Sequence, residues 1–362
     1  MNREKINDFV DCWARAINVP SNYANLIKEV IPQLIDKYSS SFPNGITITD
    51  DPYDKYVIKA NNGVYSLEDF FLNRLLRNVW SFQKDSPFKG DYQPSEMSIH
   101  FNEEKIKNQL NKVLDTQRSD FNQLRKDAAR KVVMHEFEHA LQTRYTNECL
   151  DIRFRQAYKK IIDEIRNYKH GKYENITNTY EKLKDKNPYA NFDQYISSGF
   201  HFSSTNKGIK TYREVKGFDE LNEIFNETES LDSANVTKQG YVTYKDGAYR
   251  IVRNAESSNC AITEYGYLLK TILGNKLTFT GMYLNPSRAI QFFNDNYNEI
   301  FKEKFKNKED AWTNLLSQLY EIKKYNKESD HLLLQEVLAK CMKQKIEKAI
   351  GKVDKEKMLD VP

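Results

Sequence analysis

Two histidines four residues apart, His135 and His139, enclose Glu136, Phe137 and Glu138 in an H-E-x-x-H stretch. On a helix, positions i and i+4 lie one above the other, so both imidazoles point the same way. Two nitrogen donors on one face begin a tetrahedral zinc site. Glu136 is rotated by about 100° from His135. That places it near enough to take a proton from a water the metal activates, without being a ligand. The spacing predicts one Zn2+ ion per chain, held by His135 and His139, and hydrolysis with Glu136 as general base.

The flanking residues Val132, Val133, Met134, Phe137, Ala140 and Leu141 are apolar, which predicts a helix buried over much of its circumference. The third ligand decides the kind of site. A metzincin would carry Gly at 142 and His at 145, where this chain has Gln142 and Tyr145. The remaining histidines, His100, His170, His201 and His331, stand in no motif that reads as a third ligand. A carboxylate on a second helix is the other common solution. The stretch from Gly217 to Glu227 offers one: Asp219 reads as a cap, Leu221, Ile224 and Phe225 form an apolar stripe, and Glu223 and Glu227 share a neighbouring face. Glu223 would bind zinc, and Glu227 would accept the N–H of a ligand histidine. An acidic surface helix is the plain alternative. Glu264, in the apolar segment from Asn259 to Leu269, is the reserve ligand.

Taken together, H-E-x-x-H and the later Asn222-Glu223…Glu227 stretch resemble the gluzincin branch of the zincin metallopeptidases, the group that includes thermolysin. The resemblance implies His135, His139 and Glu223 as ligands, Glu136 as base and Glu227 as the carboxylate behind a ligand histidine. It also implies a transition-state donor downstream of the second motif, where Tyr265, Tyr267, Tyr283 and Arg288 stand. The chain departs from the pattern in two places. Asn226 occupies a position where Ser or Thr is usual, and the gap between the motifs is long.

Composition bounds the rest. The 362 residues give ample material for a core, with 39% hydrophobic and 13% aromatic residues. Fifty-five basic and 51 acidic residues leave a net charge of +4, which gives no general pull toward nucleic acid. Cys12, Cys149, Cys260 and Cys341 are widely spaced and form no C-x-x-C pair, as expected of free thiols in a reducing compartment. The first residues carry no apolar run of signal-peptide type, and no stretch approaches membrane-spanning length. These features predict a soluble, cytoplasmic protein, while leaving room for signal-less export.

The elements that must position the motif follow from periodicity. Two helices are expected before residue 40, the second starting near Asn22, then short strands at 46–49 and 56–59. Ser66 reads as the cap of a helix carrying Phe70, Phe71, Leu75, Leu76 and Trp80. Met97–Phe101 reads as a strand just before the motif helix, an order that resembles zincins, in which such a strand edges the cleft and pairs with an extended peptide. A charged helical insert is expected at about 151–186, a hairpin or extended connector at 240–252, and amphipathic helix over 288–350. The fold class is α+β and predominantly helical: a zincin-like catalytic core, a small sheet beside the motif helix, and helical flanks. Its regions would be 1–90, 91–287 and 288–362. The expected function is a zinc metallopeptidase with a peptide or protein substrate and no nucleic-acid or membrane partner. An effector protease with one protein target and a non-enzymatic zinc-binding scaffold are the competing classes.

Overall fold

The computed structural model describes residues 1–16, 18–47, 64–76, 79–82, 90–93, 98–106, 108, 121–145, 196–200, 218–233, 260–301, 310–326 and 340–352. These residues are predominantly helical, with a small sheet. The chain divides into two compact units, each made of two segments. The first comprises Met1–Ser197 and Ser230–Ile251, the second Ser198–Glu229 and Val252–Pro362. Among the described residues, no helix is long and apolar enough to cross a membrane.

The first unit opens with α1 (Arg3–Ala16) and α2 (Ser21–Ser39), the two helices that periodicity predicts. Asn2 caps α1 by accepting the Lys5 N–H at 3.0 Å. Strand β1 (Ile46–Thr47) pairs antiparallel with β2 (Val64–Tyr65), a partner the sequence reading did not pick out. The strand expected at 56–59 lies outside the described residues, as do 48 and 49. Helix α3 (Leu67–Leu76) starts as predicted: Ser66 Oγ accepts the Asp69 N–H at 3.0 Å. It does not extend to Trp80, which stands in strand β3 (Val79–Phe82).

Strands β3, β4 (Gly90–Gln93) and β5 (Ser98–Phe101) form a sheet in the order β3-β5-β4. β5 runs parallel to β3 and antiparallel to β4. The strand expected at 97–101 is therefore present, but it is central rather than at the cleft edge; β4 is the outer strand on that side. Side chains alternate across a strand, so Trp80, Phe82, Ile99 and Phe101 share one face. That face meets helices. Trp80 lies edge-on to Trp13 of α1 at 5.1 Å, and Tyr23 of α2 contacts Phe82 at 4.6 Å and Phe101 at 5.5 Å. Helix α4 (Phe121–Gln142) packs on the same sheet, with Phe137 5.9 Å from Trp80. Beyond it, β6 (Thr143–Tyr145) pairs with β7 (Ile196–Ser198).

The second unit is helical. It contains most of α5 (Phe218–Ser233), then α6 (Cys260–Phe279), a π-helical turn at Thr280–Leu284, α7 (Pro286–Phe301), α8 (Ala311–Asn326) and α9 (340–352). Helices α7 to α9 match the amphipathic helix expected over 288–350. Asp310 and Asn294 cap α8 by accepting the N–H groups of Thr313 and Trp312, both at 2.8 Å. An aromatic chain forms the core: Phe200 contacts Phe225 at 5.0 Å and Trp312 at 5.1 Å, and Trp312 contacts Phe293 at 5.3 Å. α5 and α6 approach closely at Gly266, where a Cβ would meet Thr228 Cγ2 at 2.5 Å and Ile224 Cγ2 at 2.7 Å. Beside this contact, Lys270 Nζ lies 2.6 Å from Glu229 Oε1, whose side chain is fully buried.

Removing Lys270 takes a cation away from the fully buried Glu229 carboxylate. Lys270→Met should lower unfolding free energy by about 3–5 kcal/mol, read as a fall in denaturant midpoint, and pairing it with Glu229→Leu should recover most of that loss. Tyr23 gives a second test. Its burial, together with the Glu103 carboxylate that accepts its hydrogen bond, pushes the phenol far above its ordinary pKa. The folded chain thus holds this proton more tightly than the unfolded chain. The resulting stability is complete below about pH 10 and declines as pH rises beyond it. Tyr23→Phe should flatten part of that alkaline decline in melting temperature, and an unchanged slope would count against the assignment.

Candidate metal centre

The motif helix α4 explains how the two histidines come to face outward. Val133, Met134, Phe137, Ala140 and Leu141 are buried, while His135, Glu136 and His139 are half-buried. The apolar side is fixed against the sheet and the N-terminal helices. Arg130 adds an ion pair to Glu29 of α2 at 2.6 Å. With one side anchored, the i, i+4 pair can present its nitrogens together: the two imidazole centroids lie 5.0 Å apart, with planes at 77°.

The last turn of α4, which carries His139, is also held. Helix C-termini leave carbonyls without intrahelical partners. Thr143 Oγ1 donates to the His139 carbonyl at 2.7 Å, and the buried Arg74 guanidinium donates to the Leu141 carbonyl. Arg74 lies 4.2 Å from the Phe70 ring centroid, so α3 supplies both a cation and an aromatic at this helix end. Outer strand β4 supplies the opposite wall. Tyr92 stacks nearly parallel to His139, at 6.5 Å and 6°, and Gly90 lies against the Glu136 side chain.

Glu223 stands on α5 among Leu221, Ile224 and Phe225, all fully buried, and is itself half-buried. The helix begins at Phe218, so Asp219 lies in its first turn rather than at the cap expected from sequence. Asn222 accepts the Phe200 N–H at 2.9 Å, tying the residue beside Glu223 to the preceding segment. Glu227 is buried, 3% exposed, which a carboxylate tolerates only with polar partners.

His135 and His139 stand in the first unit and Glu223 in the second, and each offers one side-chain atom of a kind that binds zinc. Two imidazole nitrogens and a carboxylate oxygen are a zinc donor set with a fourth position left over. Zinc bonds of about 2.0–2.2 Å set tetrahedral donors about 3.3–3.6 Å apart. By type, two imidazoles and a carboxylate suit that ion.

The other candidates stand on other elements. His100 sits on β5 between Ile99 and Phe101, paired across the sheet with Asp91, and so points away from α4. His170, His201 and His331 lie outside the described residues, as do the side chains of Glu264, Tyr265 and Tyr267 on α6. Tyr283 is fully buried in the π turn, its ring 4.9 Å from Phe279, and Arg288 is exposed on α7. Arg74, Gly90 and Tyr92 are not picked out by sequence. No local motif links them to the histidines, since their relation to α4 is made by packing.

Metal content is the direct check on this cluster. His135→Ala and His139→Ala should each abolish stoichiometric zinc in the purified protein, and Glu223→Ala should weaken retention against a chelator by at least about tenfold. Glu136→Gln should keep its zinc. A wild-type protein that takes up no zinc would sink the assignment. No family model, no curated protein and no solved structure matches the chain.

Proposed function

We propose that the protein is a zinc-dependent peptidase with a gluzincin-type site on a zincin-like core. The observation that carries this reading is the half-buried His135–His139 pair, its ring centroids 5.0 Å apart on the anchored helix α4, with Glu223 on α5 as the candidate third ligand. A base-competent carboxylate, Glu136, is adjacent in sequence to the first of them.

Bound there, zinc would supply Lewis acidity, polarising a carbonyl and lowering the pKa of water toward about 7. The chain's own groups carry the proton transfers. Glu136 accepts the proton of the attacking water and passes it to the leaving amine as the C–N bond breaks. His135, His139 and Glu223 hold the ion with one position open for substrate. Glu227 orients a ligand histidine by accepting its N–H. Tyr265, Tyr267, Tyr283 and Arg288 remain the candidate donors to the developing oxyanion. Three ligands with an apparent base favour catalysis over a structural site, which usually has four protein ligands rich in cysteine. The substrate class is an extended peptide or protein segment: β4 is hydrogen-bonded to β5 along one edge, and among the described residues no strand pairs with the other. Cytoplasmic action belongs to the same proposal.

Peptide-library cleavage by the zinc-loaded protein tests it. Chelation should abolish turnover and zinc should restore it. Glu136→Gln should lower kcat by about 10²–10⁴-fold while zinc stays bound. Stoichiometric zinc without any peptide cleavage would assign a binding or scaffold role instead.

A further inference from the structure

Gly90 is a glycine for want of space rather than for backbone freedom. Its φ lies outside the left-handed region, which among the described glycines is occupied by Gly45, Gly199 and Gly274. Instead, a Cβ at position 90 would lie 2.6 Å from Glu136 Cγ, 3.0 Å from its Oε1 and 3.2 Å from its Cδ. Cγ is only two bonds from the helix backbone, so moving the tip of the side chain does not relieve the contact. Relief requires a different χ1, and the next staggered well is about 120° away. That change swings the carboxylate well out of its present place. The strand itself is fixed in register: Gly90 pairs with Phe101 and Tyr92 with Ile99, both partners fully buried. Residues i and i+2 share a strand face, so Gly90 against Glu136 and Tyr92 on His139 are two contacts of one rigid surface.

We propose that Gly90 is a positioning residue: its missing side chain is the clearance that lets Glu136 hold its rotamer against β4. The inference rests on the peptidase reading for its catalytic meaning, with Glu136 as base, but its physical content is independent of metal and turnover. Position 90 thereby becomes a control point for proton transfer that makes no contact with zinc. Any side chain there displaces the base without disturbing the ligands.

The experiment is a Gly90→Ala and Glu136→Ala cycle on the full-length protein, with kinetics of the zinc-loaded Gly90→Ala and Glu136→Gln variants alongside. If wild type cleaves peptides, Gly90→Ala should lower kcat by about 10²-fold. KM and zinc content should be unchanged, and Gly90→Ala should add no further loss in the Glu136→Gln background. Wild-type kcat in Gly90→Ala would overturn the proposal, as would a loss that multiplies with that of Glu136→Gln. If wild type shows no peptidase activity, the functional reading fails and melting decides alone. Gly90→Ala should then lower the melting temperature by about 2–4 °C, with the loss disappearing when Glu136 is Ala. No loss, or the same loss in both backgrounds, would overturn the proposal. Should Gly90→Ala fail to fold, folding of the double variant supports the collision, and failure of the double variant overturns it.

Discussion

The burial of α4 on one side is the constraint on which the first unit depends. A helix cannot present two imidazoles and a carboxylate in a fixed arrangement unless its other faces are immobilised. Val133, Met134, Phe137 and Leu141 provide that anchor. The neighbouring elements can be understood as what covers those residues: α2 reaches Arg130 through Glu29, α3 reaches the last turn through Arg74, and the sheet meets Phe137 through Trp80. α5 solves the same problem for Glu223, with Leu221, Ile224 and Phe225 as its anchor and a glycine contact with α6 at its back.

Polar groups inside both units refine these anchors. Arg74, Lys131, Glu138 and Glu229 are all at most 1% exposed. Burying charge is costly, and a paired buried charge adds little net stability over an apolar replacement. What such pairs do supply is directionality. The Leu141 carbonyl accepts from Arg74, and Glu229 meets Lys270 in one geometry. An apolar contact would leave the helices free to slide by a fraction of a turn. For a helix that must hold His135 and His139 side by side, that difference in rigidity matters more than the stabilisation itself.

How much of this was legible in the sequence depends on the range of the interaction that fixes each element. The α4 helix and its histidine pair are local, set by a 3.6-residue period and a four-residue spacing, and so were readable. The Ser66 cap was readable for the same reason. Trp80 continues the apolar spacing of Phe71 and Leu75–Leu76, so its local pattern reads as α3. The pairing of residues 79–82 with 98–101 overrides that pattern. β5 reads as a strand from its own residues, but its central place does not, because centrality belongs to the sheet. Its partner Gly90-Asp91-Tyr92-Gln93 has a composition that favours neither strand nor helix. Glu223 is readable as a candidate from charge spacing on a helix, but the burial of its neighbours Leu221, Ile224 and Phe225 depends on tertiary structure that no window of sequence contains.

Arg74 has one more implication, for where the chain could be shortened. By sequence, residues 1–90 read as a region apart from the one that bears the motif. The structure gives them a different standing. Trp13 and Tyr23 cover Trp80, Phe82 and Phe101, Glu29 holds Arg130, and Arg74 closes the end of the helix that bears both histidines. A fragment starting at β3 would expose a sheet face of large aromatics and leave the terminal turn of α4 to fray. A piece carrying the two histidines therefore needs α1 to α3 as its cover, and Asn2, which caps α1 and donates to Glu68, belongs to that cover.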